Sequence, residues 1–329
     1  MKILITGATG FAGGHILRYL SNLYGVENVH GTGRNKSKAK ELIAEGYNIH
    51  IGDLINADFV NSQLTGYDIV VHCAAKSSMW GSYNSFYQAN VIATQNLLKI
   101  VSSNRQLIYI STANMYFDYS NRNNVSELDV YPDSFSNHYS ATKFKAEELV
   151  MSISDKSFVT ILRPRAIIGV GDTVVFPRLI RAYNEGRLRV VGTGNNSVDF
   201  TSINNLCHAI YLCVEKKDSA KGEIYNITND DTIVLWDEIK NILSGLGLDT
   251  NLKSIPYNLA YMFARYQELT TNENDKEPVM TCYGVAVLNY SVSLSIDKIK
   301  KELAYKPKES SKQTLRDFIN WYKQASMKA

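Results

Sequence analysis

Tyr139 and Lys143 stand four residues apart in Tyr139-Ser140-Ala141-Thr142-Lys143, a spacing that sets both on one face of a predicted helix. A phenol with the ordinary pKa of ~10 is a poor acid–base group at neutral pH, and a nearby ammonium stabilises its phenolate. Such a pair can relay a proton to or from a substrate oxygen. Upstream, Ile108-Tyr109-Ile110-Ser111-Thr112 reads as a strand that ends in hydroxyls, and Thr112 could bind the same oxygen. Tyr-x-x-x-Lys also occurs on ordinary surface helices, so the rest of the chain must decide between the two meanings.

A second group of residues is suited to binding. Thr6-Gly7-Ala8-Thr9-Gly10-Phe11-Ala12-Gly13-Gly14 lies between a predicted strand and a predicted helix. Gly7 permits the tight turn, Gly10 leaves room for a pyrophosphate, and Gly13 lets the helix pack closely on the sheet. Free N–H groups at the helix start would face the phosphates. No Gly-Lys-Ser/Thr follows, which excludes a nucleoside-triphosphate loop and leaves a dinucleotide. The second strand ends in Gly33-Arg34-Asn35-Lys36, with no acidic residue for a ribose 2′-hydroxyl. Arg34, helped by Lys36, suits a 2′-phosphate instead, which favours NADP(H) over NAD(H). A solvated turn arginine is the plainer reading of the same residue. In Gly52-Asp53-Leu54, Asp53 is placed to meet the adenine amino group or to cap a helix.

Positioning these groups requires alternating strands and helices. Strands are predicted at Lys2–Thr6, Val29–Gly33, Asn48–Gly52, Asp68–Cys73, Gln106–Ser111 and Phe158–Arg163, with helices beginning near Phe11, Lys36, Asn56, Tyr83 and Tyr139. That order predicts an α/β fold with a Rossmann-type doubly wound parallel sheet covered on both faces. After Pro164 the rhythm changes to helices over Val174–Glu185, Asn205–Glu215, Leu235–Leu246 and Thr314–Gln324, with short strands such as Arg189–Gly192 and Glu223–Thr228. The expected division is a dinucleotide-binding domain over 1–165, to which 198–215 returns, and a smaller mixed α/β substrate-binding portion over 166–329.

Composition excludes several alternatives. The 329 residues are 45% hydrophobic and 20% charged, which argues against general disorder. Lys+Arg 35 against Asp+Glu 32 leaves +3, too balanced for nucleic acid or an anionic membrane as main partner. Mean hydropathy is −0.19, and no apolar run approaches the ~20 residues of a membrane span. Four scattered cysteines, Cys73, Cys207, Cys213 and Cys282, fit a reduced cytoplasmic protein. No metal ligand set is assigned.

Taken together, the chain resembles the extended short-chain dehydrogenase/reductase superfamily, of the NAD-dependent epimerase/dehydratase type, over nearly its whole length. The matching pieces are Thr6-Gly7-x-x-Gly10-x-x-Gly13, His72-Cys73-Ala74-Ala75, Asn90-Val91-Ile92-Ala93-Thr94, Ser111-Thr112, Tyr139-x-x-x-Lys143 and Leu162-Arg163-Pro164. The resemblance implies Tyr139 as acid/base and Lys143 as the group that lowers its pKa and binds the nicotinamide ribose. It implies Thr112 as the hydroxyl partner, with Ser111 as runner-up, and Asn90 in a proton relay to Lys143. Thr9, Phe11, Leu54, Ala74, Ala75, Lys76, Ser111 and Pro164 are implied as cofactor contacts beside the glycines, Arg34 and Asp53. Helices around 83–103 and 139–152 are implied as a homodimer interface.

Departures narrow the branch. Thr112 is followed by Ala113-Asn114 where sugar-nucleotide dehydratases carry Asp-Glu, so elimination is not expected. Val198-Asp199-Phe200 lacks the diphosphate-pairing arginine common in sugar-nucleotide epimerases, although Arg178, Arg181, Arg187 and Arg189 could supply another. Ser78-Met79-Trp80-Gly81, Arg163-Pro164-Arg165-Ala166-Ile167-Ile168-Gly169 and Tyr225-Asn226-Ile227-Thr228 are similar to the 3β-hydroxysteroid dehydrogenase and 2-alkyl-3-oxoalkanoate reductase-like branch. The expectation is an NAD(P)-dependent dehydrogenase/reductase acting on a secondary alcohol or ketone of a steroid-like or 3-oxoacid-like small molecule. A nucleotide-sugar 4-epimerase with retained NAD is the alternative, and a non-catalytic dinucleotide sensor the third. The aromatic-rich stretch Ile255–Leu269 lines an apolar pocket, packs the second unit or touches a membrane surface.

Overall fold

A computed structural model describes residues 1–101, 105–155, 157–273 and 277–326. Ser102 and Ser103, the end of the 83–103 stretch, lie outside the described residues. Seven parallel strands form the central sheet: β1 Ile3–Thr6, β2 Val29–Gly33, β3 Asn48–Ile51, β4 Ile69–His72, β5 Gln106–Ile110, β6 Phe158–Pro164 and β7 Glu223–Ile227. Their order is β3-β2-β1-β4-β5-β6-β7. The chain winds outward in both directions from β1, so a crevice opens beyond the C-terminal ends of β1 and β4.

Strand geometry explains the two covered faces. Successive side chains alternate, so Ile3 and Ile5 enter one core with Ile16, Leu20 and Val71, while Leu4 enters the other with Val70, Leu107 and Val150. Helices Phe11–Tyr24 and Ile203–Glu215 cover the first face, and Ala93–Leu98 and His138–Met151 cover the second. The helix Ile203–Glu215 therefore packs on the large sheet, through Leu206, Cys207 and Ile210.

Beyond the sheet, helices Val175–Asn184, Leu235–Gly245, Tyr257–Thr270 and Ser311–Ser326 surround a separate core of Phe176, Trp236, Ile239, Ala264 and Phe318. Two strands cross the division at residue 165. Glu223–Ile227, placed by sequence in the second unit, is β7 of the central sheet and pairs with β6 from Glu223↔Thr160 to Ile227↔Pro164. Arg122–Val125, from the first half, pairs in parallel with Val292–Leu294 in a four-stranded sheet that also holds Ser197–Val198 and Ile233–Val234. Among the described residues no helix is long and apolar enough to cross a membrane.

Candidate active site

The glycine turn joins β1 to the helix Phe11–Tyr24. Gly7 has φ +72°, in the left-handed region that favours glycine. A Cβ on Gly13 would lie 2.2 Å from the Gly7 carbonyl oxygen, so only glycine allows this approach of helix to strand. Gly10 caps the helix without any side-chain hydrogen bond, which leaves its opening turn to a ligand. Farther along the crevice, a Cβ on Gly33 would meet Thr9 Oγ1 at 2.3 Å. The close approaches hold the turn against the helix, its uncapped start presents backbone N–H groups, and the residues present fit a dinucleotide pyrophosphate.

The turn opens into one cavity of about 1350 Å³, large enough for a dinucleotide and a second small molecule. Thr9, Phe11, Arg34, Asp53 and Leu54 line it, as do Ala74, Ala75, Ser111 and Pro164. So do Thr112, Tyr139 and Lys143. Lys76 does not: its ammonium donates to Ser85 Oγ at 2.6 Å and lies 4.6 Å from the Phe86 ring centre. At the adenosine end, Arg34 and Asp53 meet each other at 3.3 Å across the ends of β2 and β3. Arg34 is 61% exposed, so this pair is weak and open to exchange with a ligand.

Tyr139 and Lys143 lie one turn apart on the helix His138–Met151, which Asn137 caps by accepting from the Ser140 N–H. Burial pushes the Tyr139 phenol up to about 12, against a hydrogen bond with the Thr112 side chain that lowers it. The expected lowering by the ammonium is not realised in this arrangement. Lys143 Nζ instead donates to the Ile110 carbonyl at 2.7 Å and lies 3.9 Å from the Tyr109 ring centre. Burial draws Lys143 itself down to about 7, with Glu147 opposing. Ser111 is committed elsewhere, its hydroxyl donating to Glu147 Oε2 at 2.6 Å. Thr112 is therefore the hydroxyl that meets the phenol.

Asn90 plays a different part from a contact with Lys143. It sits in a π-helical turn, Gln88–Ile92, a kind of distortion common at functional sites. Its side chain accepts from the Lys76 N–H at 2.7 Å and donates to the Lys76 carbonyl and to Thr142 Oγ1 at 3.2 and 3.0 Å. It thus pins the loop after β4 to the helix that carries Tyr139. The Asn90 carbonyl accepts from the Thr94 hydroxyl at 2.6 Å, so Thr94 Oγ1 is left to accept from His72 Nε2 at 2.9 Å. His72 Nδ1 then accepts from the Thr6 hydroxyl at 2.7 Å, and Thr6 Oγ1 accepts from the N–H groups of Cys73 and Ala74. This chain uses a neutral imidazole, and burial holds the His72 pKa down at about 3.

Sequence reasoning passed over Arg165. It follows β6 directly, is 5% exposed, and lines the same cavity. Ala166 beside it has φ +41°, an uncommon conformation for a residue with a Cβ. A signal was present: a second arginine two residues after Arg163, at the end of an otherwise apolar strand. The aromatic-rich helix Tyr257–Thr270 turns Ala260 and Ala264 inward and leaves Leu259, Met262, Tyr266 and Leu269 exposed, while Phe263 lines the cavity. Ala260 and Ala264 make its buried face and Tyr257 and Tyr261 pack half-buried against the second core, so only its other large side chains stand outside that core.

The chain is similar to several known proteins. Residues 3–228 match the model of the family described as "NAD dependent epimerase/dehydratase family". An uncharacterized protein of Escherichia coli (strain K12), YbjS, is 33% identical over 93% of each chain. A 2-alkyl-3-oxoalkanoate reductase of Stenotrophomonas maltophilia (strain K279a) is 32% identical, covering 96% of this chain and 98% of its own. The mouse decarboxylating sterol-4-alpha-carboxylate 3-dehydrogenase is 29% identical, covering 96% of this chain and 91% of its own. A Bacillus cereus UDP-glucuronic acid 4-epimerase, solved in complex with NAD, shares the fold at a TM-score of 0.74 and 22% identity, covering 98% of this chain and 99% of that one.

Proposed function

The chain belongs to the NAD dependent epimerase/dehydratase family, and on that premise we propose that it is an oxidoreductase interconverting a secondary alcohol and a ketone on an apolar or acyl substrate, with NADP(H) as the preferred dinucleotide. The observation that carries this reading is the meeting of Thr112, Tyr139 and Lys143 on the wall of the cavity that the glycine turn opens. When bound, the nicotinamide supplies or takes up the hydride. Tyr139 moves the proton at the substrate oxygen, and Thr112 hydrogen-bonds the phenol and orients that oxygen beside it. Lys143, one turn on, supplies the positive charge that favours the phenolate once its ammonium turns from Ile110. The amides of the glycine turn hold the phosphates, and Arg34 receives the 2′-phosphate in exchange for Asp53.

The relatives' names support the substrate class: one is named for the reduction of a 2-alkyl-3-oxoalkanoate, another for the 3-dehydrogenation of a sterol-4-alpha-carboxylate. Apolar side chains such as Met79, Phe263, Val279 and Leu288 on the cavity wall suit both. The test is NADPH oxidation against 3-oxo acids, 3-ketosteroids and small aldehydes, with Tyr139→Phe as control. The variant is expected to bind NADPH as before and lose about 10²–10⁴ in turnover. Full activity in the variant overturns the mechanism. Stoichiometric NAD retained through purification, with no net ketone reduction, would point to an epimerase.

A further inference from the structure

Two arginines lie two residues apart at the end of β6, and only one of them is satisfied by the protein. Arg163, 1% exposed, pairs with Glu147 and donates to the hydroxyls of Tyr116 and Tyr131. Arg165 is nearly as buried, but its Nε has no hydrogen-bond partner. Its backbone N–H donates to Thr201 Oγ1 at 3.0 Å and to the Ile227 carbonyl at 3.3 Å, and these bonds do nothing for the guanidinium. Asp199 stands within electrostatic reach, yet its carboxylate already accepts from Thr232 Oγ1 and the Leu294 N–H, each at 2.7 Å. A buried guanidinium left without hydrogen bonds is strongly unfavourable unless something else completes it. The cavity is what it faces. Tyr283, also on that wall, is influenced by the charges of both Arg165 and Tyr139, so guanidinium and phenol serve one end of the cavity.

The charge at this place selects the ligand. Arg178, Arg187 and Arg189 also line the cavity, but Arg178 pairs with Glu277, Arg187 with Glu185, and Arg189 donates to the Gly186 and Leu188 carbonyls, so the charge left for a ligand at Arg165, partly offset by Asp199, suits a single carboxylate. The planar fork of an arginine also suits the two oxygens of a carboxylate. We propose that Arg165 binds a carboxylate of the substrate at the end of the cavity where Tyr139 meets the substrate oxygen, which makes the substrate a keto or hydroxy acid, such as the 3-oxo acid for which one relative is named. This deepens the hydride-transfer reading above and rests on it for the reaction, though not for the binding. Arg165 is thereby the residue that selects acid over ester, and it orients the ketone toward the phenol.

The test uses Arg165→Met and Arg165→Gln in the full chain loaded with NADP⁺. Asp199 keeps its hydrogen bonds from Thr232 and the Leu294 N–H, so removing Arg165 strands no hydrogen-bonded ion-pair partner, and a melting curve checks that each variant folds. Isothermal titration compares dodecanoate with dodecanol. The wild type is expected to bind dodecanoate at least about tenfold more tightly, and both variants to lose that preference. Equal affinity of the wild type for the two probes, or an unchanged preference in a folded variant, overturns the proposal. Kinetics then compare 3-oxododecanoate with its methyl ester. The variants should raise KM for the acid by about thirtyfold or more and leave the ester's within about threefold. An equal loss on both would overturn it. If the wild type reduces neither compound, the hydride-transfer reading fails, and the dodecanoate titration still decides the role of Arg165.

Discussion

Gly7, Gly10 and Gly13 shape the dinucleotide end of the cavity by the side chains they lack, whereas Arg165, Phe263, Val279 and Tyr283 shape the substrate end by the side chains they carry. The first end is backbone, held by the parallel register of β1 with β2 and β4 and by the Thr6–His72–Thr94–Asn90 chain of hydrogen bonds. The second is assembled from Arg165 and from a stretch that begins 98 residues later at Phe263, against a separate core. A backbone site depends on close approaches that admit almost no substitution. A side-chain site can be changed without disturbing the fold, and that freedom lets one cofactor platform serve different substrates.

The largest effect should come from breaking the backbone end. In Gly13→Ala the new Cβ meets the Gly7 carbonyl at 2.2 Å, so helix and turn must part. Dinucleotide affinity is expected to fall by about 100-fold or more, measured by fluorescence titration, because phosphate contacts depend on sub-ångström placement. Phe263→Ala is the counterpart at the substrate end. Phe263 is 49% exposed, so the variant should melt within a few degrees of the wild type, keep NADPH affinity, and raise KM for long-chain substrates. If the two variants behave alike, the contrast between the ends is wrong.

Arg34→Ala sharpens the contrast within the dinucleotide end. It removes the guanidinium from the adenosine end, and it frees Asp53. Affinity for NADPH should drop about 10–100-fold while NADH affinity stays level, read by the same titration. Equal loss for both nucleotides would make Arg34 structural and remove the basis for preferring NADP(H).

The smallest effect concerns the supports beneath the site. His72 has a folded pKa near 3 and an ordinary value of 6.5, so between those values the unfolded chain takes up a proton that the fold refuses. Stability should therefore be lost as pH falls from 6.5 toward 3, by up to about 1.4 kcal/mol per pH unit from this residue. Urea unfolding at pH 7.0 and 4.5 should show a smaller difference for His72→Gln than for the wild type. An identical difference would mean that His72 is not the group responsible.

What was legible in the sequence follows the same divide. The glycine turn and Tyr139-x-x-x-Lys143 are local patterns whose geometry follows from one strand-to-helix turn and one helical repeat, and both line one cavity. The strand at Arg122–Val125 was not legible, because Arg-Asn-Asn-Val has no alternation of apolar and polar residues and is fixed by a distant partner. Ser293 Oγ accepts from the Asn124 N–H, and Asn121 Oδ1 accepts from the Ser291 N–H. The true place of Glu223–Ile227 was hidden likewise, since an edge strand of a parallel sheet is assigned by its neighbour β6 and not by its own residues. Asn90 was found, but its service to Lys76 and Thr142 depends on a π-turn that no spacing announces.

The central claim is that Tyr139 and its neighbours support hydride transfer between a nicotinamide and a ketone carbon in this cavity. The most direct measurement is the fate of deuterium placed at the transferable position of NADPH, followed by mass spectrometry of the product from a 3-oxo acid. One deuterium at the carbinol carbon is expected with the wild-type protein, and almost no labelled product from Tyr139→Phe in the same time under saturating nucleotide. A product free of deuterium, or as much labelled product from Tyr139→Phe as from the wild type, would contradict it.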